Sequence, residues 1–320
     1  MFMKKFRLLT LSAVLLMAMP IGCDSSNGEN GNNNENGEIE FADFEPAEVV
    51  FSMRGMVDMV FEITARYNQD LDPNPEDGLT ISDEGDVLKI DFDGFQPDES
   101  APVLDGSLDV DITLDGEGHI TFLGLDGVLD LSEYVLDTIE LDGFGIELGD
   151  GPESPPSASY GIMIADGIQY SVESLIHTMF VVHTTQNVFE LIFDISYRFI
   201  VEESEPPVET LIVEWIDEEK DEISIVLNGF KPDEDDDISL NGSLQVAATF
   251  DGENVETMHI NGEVNAPGHV ISNLTFVEAY IEFTGGQDHP DIVSGHFKAD
   301  DKAYRMTDFL DFMMTVMTLE

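Results

Sequence analysis

Between Leu104 and Leu114 the apolar residues Leu104, Leu108, Val110, Ile112 and Leu114 alternate with Asp105, Ser107, Asp109, Asp111 and Thr113. A period of two sends successive side chains to opposite faces of a strand, so this stretch predicts a strand with one buried and one acidic face. From Phe189 to Val201 the odd positions (Phe189, Leu191, Phe193, Ile195, Tyr197, Phe199, Val201) are all apolar, with Glu190, Asp194, Ser196 and Arg198 between them. The same rule predicts another one-sided strand there. Leu211, Val213 and Trp215 continue the pattern and put the only tryptophan among core-facing residues. Asp-Gly or Asn-Gly pairs begin at 93, 105, 115, 126, 228, 241, 251 and 261. They supply the positive φ of tight hairpin turns, or of bulges where they interrupt an alternating run as Asp105-Gly106 does.

Three stretches have a different period. In 46–58, 171–183 and 307–319 apolar residues fall three and four apart, the spacing of a helix with one apolar stripe. Ser171 with Ser174, and Thr307 with Asp308, offer side-chain oxygens to the free amide protons of a first turn.

The chain also repeats itself. Asp93-Gly94-Phe95-Gln96-Pro97-Asp98-Glu99 returns as Asn228-Gly229-Phe230-Lys231-Pro232-Asp233-Glu234, and Asp105-Gly106-Ser107-Leu108 as Asn241-Gly242-Ser243-Leu244. Val60-Phe61-Glu62-Ile63 returns as Val188-Phe189-Glu190-Leu191, and Tyr160-Gly161 with Ala165-Asp166 as Ser294-Gly295 with Ala299-Asp300. Matches kept in one order over so long a span mean a duplicated unit. The expected fold is mainly β: two tandem antiparallel β-meander units, 39–170 and 171–320, each a short helix followed by six or seven strands and folded as a sandwich or half-open barrel. A C-terminal helix is expected to cover the open end of the second sheet.

Composition narrows the partners. The 320 residues carry 67 Asp and Glu against 12 Lys and Arg, a formal charge of −55, with 42% hydrophobic residues. Such a chain repels phosphate backbones, which excludes nucleic-acid binding through a basic surface, yet it is apolar enough to fold. Acidic strand faces set Asp105, Asp109 and Asp111 beside Asp91 and Asp93, and like charges on adjacent strands repel. Concentrated external salt would offset this, because the Debye length falls from about 10 Å at 0.1 M to about 3 Å at 1 M. Divalent cations held along these faces are the alternative.

At the N-terminus, Lys4, Lys5 and Arg7 precede an apolar run from Leu8 to Met19 and then Gly22. The run is shorter than the ~20 residues that span a bilayer, so 1–22 reads as a signal peptide removed from the mature chain. Cys23 follows it directly. Being the sole cysteine, it leaves no intramolecular disulfide and no thiolate metal cluster to build. Pro20-Ile21-Gly22-Cys23 resembles the lipobox of bacterial lipoproteins, with Pro20 where that family usually has Leu. The resemblance implies cleavage before Cys23 and lipid attachment to its sulfur, with acyl chains such as palmitate anchoring the protein in a membrane of the bacterial cell envelope. Residues 24–38 contain no apolar side chain and read as a disordered tether with a reach of about 20 Å. Removing the signal leaves nine basic residues against 67 acidic ones, a charge of −58.

Candidate chemistry is sparse. Asp70, Asp72, Asn74, Glu76 and Asp77, and again Asp233, Asp235 and Asp237, crowd oxygen ligands of the kind Ca²⁺ takes into short loops. Pro75 and Ile81 stand where an EF-hand counted from Asp70 needs Gly and Glu, which leaves a flexible Ca²⁺ site or a solvated acidic turn. Met53, Met56 and Met59, with Met306, Met313, Met314 and Met317, read as pliable core filler or as thioether ligands for Cu(I). Met53, Met56, Met179 and Met313 are also the candidate wall of a pocket for an acyl chain. The seven His show no zinc-binding spacing, and no nucleophile elbow, phosphate loop or dinucleotide fingerprint is present. No catalytic residue is assigned, and a non-enzymatic role is expected.

The resulting expectation is a cell-envelope lipoprotein with a binding or scaffolding role, holding a lipid or other hydrophobic ligand between helix and sheet or meeting an envelope protein. The alternative is an acidic structural or adhesive surface protein that binds Ca²⁺, the one cofactor in view.

Overall fold

The structure is a computed structural model describing residues 39–68, 78–83, 87–97, 102–114, 120–132, 135–148, 156–204, 209–232, 239–252, 254–283 and 290–319. The chain divides into two compact units, Glu45–Met179 and Phe180–Thr318, the second also holding the residues just ahead of Glu45. The first unit opens with helix α1 (Ala47–Asn68). Seven strands follow: β1 (Leu79–Asp83), β2 (Leu88–Phe95), β3 (Val103–Leu114), β4 (Ile120–Ser132), β5 (Thr138–Leu148), β6 (Pro156–Ala165) and β7 (Ile168–Ser171). Helix α2 (Val172–Ile200) then begins in the first unit and ends in the second. The second unit continues with β8 (Leu211–Asp217), β9 (Glu222–Phe230), β10 (Leu240–Asp251), β11 (Asn254–Asn265), β12 (Asn273–Glu282), β13 (Ile292–Ala299), β14 (Lys302–Arg305) and helix α3 (Met306–Leu319). Each sheet is an antiparallel meander in which every strand pairs with its sequence neighbours, and neither closes into a barrel. The mainly β, duplicated meander with a C-terminal helix is thus present, with seven strands in each copy among the described residues.

Two expectations about the helices need correction. The helices are not short, since α1 runs 22 residues and α2 runs 29. The stretch from Phe189 to Val201 is not a strand: it is the second half of α2 with the turn that follows. Apolar residues also stand at Val188, Ile192 and Ile200, so the segment satisfies a period of 3.6 as well as one of two. Burial decides between them, because Val181, Thr185, Val188, Ile192 and Ile195 are buried at three- and four-residue steps. Ser171 Oγ accepts from Ser174 N (3.3 Å) at the start of α2, and no Gly or Pro interrupts the helix before Ile200.

Each sheet buries one face. In the first, Ile90, Leu108, Val110, Leu123, Leu125, Phe144 and Met163 are almost wholly buried, as are Met53, Val57 and Val60 of α1 and Val172 and Leu175 of α2. In the second, aromatic rings join helix to sheet: Phe189 of α2 meets Phe276 at 5.2 Å and Phe309 of α3 at 5.9 Å, and Phe309 meets Phe297 at 5.8 Å. Phe199 packs against Trp215 at 5.2 Å, and Trp215 remains 38% exposed at the margin of this core rather than inside it. The outer edge of β14 is covered by the start of the chain. Phe41 pairs with Ala303, Ala42 N donates to Ala303 O (2.8 Å), and Phe44 stacks on Tyr304 at 4.7 Å. Blocking an unpaired edge in this way removes a template for aggregation.

The Asp-Gly and Asn-Gly pairs sit mostly inside strands, as bulges. Registers slip at Asp93/Phe95, Leu125/Gly127, Leu240/Asn241 and Ile260/Gly262. At each slip an Asx side chain reaches across to the amide freed on the next strand. Asp105 Oδ1 accepts from Gly94 N (2.9 Å), Asp126 Oδ1 from Gly143 N (2.7 Å), Asn241 Oδ1 from Gly229 N (3.0 Å) and Asn261 Oδ1 from Glu278 N (2.7 Å). These bonds satisfy donors that the slipped ladder leaves unpaired, and bulges in register across neighbouring strands curve a sheet. The outer face bears the acidic ladder: Asp93 lies opposite Asp105, Asp105 opposite Asp130, and Asp109 between Lys89 and Asp126.

Gly242 has φ +144°, and a Cβ there would overlap the Glu263 carbonyl, whereas Gly229 has φ +69° with open space around it. Gly242→Ala is therefore expected to cost about 3 kcal/mol and Gly229→Asn about 1 kcal/mol or less, read from urea unfolding midpoints. Equal losses would contradict the bulge geometry.

Candidate functional site

A cavity of about 400 Å³ lies in the second unit between α2 and the sheet. On the helix its wall is one stripe, Thr184, Asn187, Val188, Leu191 and Asp194, with Glu190 beside it, as side chains three and four apart share a face. The facing wall is the end of the sheet, where Leu240 of β10, Val264 of β11 and Leu274 of β12 meet the turn that carries Ala266, His269 and Ile271. That turn is built rigidly. Ala266 N donates to Ser272 O (2.9 Å) and His269 N to Ala266 O (3.1 Å). Asp300 Oδ1, in the β13–β14 turn, accepts from Ser272 N (3.2 Å) and Asn273 N (3.0 Å).

Two polar atoms of the lining residues are sealed from solvent and lack partners among the described residues. Thr184 is only 8% exposed, and neither its Oγ1 nor His269 Nδ1 has a hydrogen-bond partner among the described residues. Burial pulls the His269 pKa below its ordinary value, with a hydrogen bond of the ring to the Ile271 backbone and the charge of Asp300 opposing more weakly, which favours the neutral ring. The carboxylates at this wall already have partners: Gln186 Nε2 donates to Glu190 Oε1 (3.1 Å), and Arg198 Nη2 lies 3.0 Å from Asp194 Oδ2.

The first unit serves as an internal control. Its loop after β4 has the same frame, with Leu131 N donating to Asp137 O (2.8 Å) and Asp166 Oδ1 accepting from Asp137 N and Thr138 N (both 2.9 Å). Ala266 therefore corresponds to Leu131. On the helices the matching runs at Val60 and Val188 align the buried positions Met53, Met56 and Val57 with Val181, Thr184 and Thr185. At the cavity the second unit has Thr184 and Ala266 where the first has buried Met56 and Leu131. Two large side chains have become small ones.

Of the residues picked from sequence, Met53 and Met56 are buried in α1, and Met179 is half-buried in α2, all within the first unit; Met313 is buried in α3 of the second. None of the four lines the cavity. Asp70, Asp72, Asn74 and Asp77, then Asp233, Asp235 and Asp237, and Cys23 lie outside the described residues. Among the described residues, no three His, Cys, Asp or Glu side chains converge as a metal site, and no helix is long and apolar enough to cross a membrane. Thr184, Ala266 and His269 were missed. The signal that would have found them is the mismatch between aligned copies.

Burial also perturbs a carboxylate of the first unit. Asp58 of α1 lies 3.8 Å from Arg54, and burial pushes its pKa from 3.8 up to about 6 while Arg54 opposes. A folded-state pKa above the unfolded one favours the protonated form, so this group lowers stability as pH rises through 4 to 6. Because the side chain is 36% exposed, solvent screening reduces the effect to about 1 kcal/mol. Asp58→Asn is expected to match the parent near pH 3.5 and to exceed its stability by about 1 kcal/mol at pH 7. A difference independent of pH would contradict it.

No protein-family model matches this chain, and no curated protein or solved structure matches it either.

Proposed function

We propose that the protein is a lipid-anchored component of a bacterial cell envelope that binds a hydrophobic ligand in the cavity between α2 and the second sheet. The cavity carries this reading. Its volume of about 400 Å³ lies in the range of small-molecule sites, ~300–1,000 Å³. It occurs where the duplicated fold has exchanged Met56 and Leu131 for Thr184 and Ala266. A packed core loses stability when methylenes are deleted from it, so an opening here is a departure that ligand occupancy explains. The lipobox-like Pro20-Ile21-Gly22-Cys23 and the apolar-free stretch after it support a body tethered beside a membrane, where apolar ligands are at hand. Burying about ten methylenes contributes roughly 8 kcal/mol, which places the affinity ceiling near the micromolar range.

The first unit's own residues provide the test. The mature chain is expected to enhance the fluorescence of N-phenyl-1-naphthylamine, an uncharged apolar probe. Thr184→Met with Ala266→Leu should weaken that binding at least ~10-fold while keeping or raising the thermal midpoint, since it refills the core. Undiminished probe binding by the folded double variant would refute the cavity as the site.

A further inference from the structure

On the outer face of the first sheet two aromatic rings lie flat. Phe122 of β4 and Tyr160 of β6 have ring planes within 17° of each other and centroids 6.3 Å apart. Beneath them are two glycines paired directly across β4 and β5, Gly124 and Gly145. A Cβ on Gly145 would run into the Tyr160 ring, and one on Gly124 would come within 3.1 Å of the Phe122 ring. Each ring therefore rests on its own glycine, and the two lie side by side as one platform. Tyr160 is 45% exposed, and both glycines are buried beneath the rings. We propose that this platform binds a saccharide, an uncharged pyranose chain whose C–H faces stack on Phe122 and Tyr160. The site belongs to the first unit and is independent of the cavity in the second.

The two glycines serve no turn or bulge. Neither has a positive φ, unlike Gly127, Gly143 and Gly161 close by. Glycine inside a strand weakens it and often marks a close approach of another group, and here the approaching groups are the two rings. The fold itself does not demand them. Strand registers align Gly124 with His259, Gly145 with Tyr280, Phe122 with Thr257 and Tyr160 with Ser294. In the second unit the rings thus rise from the glycine positions themselves, and those of His259 and Tyr280 cross at 70°. That sheet covers the same spot without a flat surface.

The rim of the platform selects among ligands that stack. Exposed Asp111 of β3 lies opposite Gly124, and exposed Glu147 of β5 lies opposite Phe122. In the second unit Ala247 holds the place of Asp111, so that carboxylate accompanies the platform. A pyranose offers C–H groups to the ring faces, and hydroxyls at its edge donate to a carboxylate. A nucleotide or a uronic acid would bring negative charge to this rim, in a chain whose formal charge is −55. A planar hydrocarbon makes no use of the carboxylates. An organic cation is held best by rings that surround it, whereas coplanar rings meet it from one side only.

Depletion of the mature chain from solution by phosphoric-acid-swollen cellulose, a neutral chain of equatorially linked glucose, tests the assignment, with cross-linked dextran, a flexible α-linked glucan, for comparison. Cellulose is expected to retain the protein and dextran to leave it in solution. Retention should be the same at about 0.1 M and about 1 M NaCl, because no ion pair holds the ligand. Tyr160→Phe keeps the ring and should keep the binding. Tyr160→Leu still covers Gly145 but removes the aromatic face, and should weaken retention about tenfold, with the thermal midpoint reporting that the variant is folded. Phe122→Leu should give the same loss by a second route. No retention by cellulose, or undiminished retention of both folded leucine variants, would overturn the proposal. So would equal retention by dextran, or release by tetramethylammonium or by salt, which would make the platform a cation site.

Discussion

A seven-stranded sheet that does not close on itself leaves one apolar face to be covered, and in this protein that cover must come from helices. Each fully buried Leu, Ile or Phe contributes about 1.5–3 kcal/mol, so the inner faces are where the stability of both units originates. The first unit draws its helical cover from α1 and the opening turns of α2, the second from the rest of α2 and from α3. One continuous helix thus serves two cores. Its 29 residues keep a buried stripe throughout, from Val172 and Leu175 through Val181, Val188 and Ile192 to Ile195. The aromatic contacts of Phe189 and Phe309 with Phe276 and Phe297 are the densest expression of that cover.

The same duplication makes the exceptions informative. Both sheets carry the bulges held by Asp105, Asp126, Asn241 and Asn261, and both pin the loop after their fourth strand through a turn aspartate, Asp166 or Asp300. Against that common frame the exchange of Met56 and Leu131 for Thr184 and Ala266 is a change of content without a change of scaffold. It removes volume at one spot, in a wall to which His269 also contributes. A function assigned to that spot therefore rests on side chains rather than on fold, as it should where a scaffold is shared.

Much of this fold was legible in the sequence. Alternation in 104–114, the Asp-Gly and Asn-Gly pairs and the ordered repeat specify two antiparallel meanders, because strand faces and positive-φ positions leave local marks. The segment 189–201 misleads because Phe189, Leu191, Ile192, Phe193 and Ile195 satisfy both periods at once, and only tertiary burial separates them. Methionines attracted attention as a pocket wall, yet Met53 and Met56 lie buried in the first unit. The cavity left no local mark: Thr184 comes from α2 and Ala266 and His269 from the β11–β12 turn, each unremarkable alone. Only comparing the copies position by position, helix with helix and loop with loop, brings them together.

The most direct measurement is a native mass spectrum of the mature protein purified gently from its own host. The account predicts a bound, non-covalent hydrophobic species of roughly 200 Da, lost from the Thr184→Met, Ala266→Leu variant. A bare chain mass from the parent protein, or an adduct retained by that variant, would contradict it.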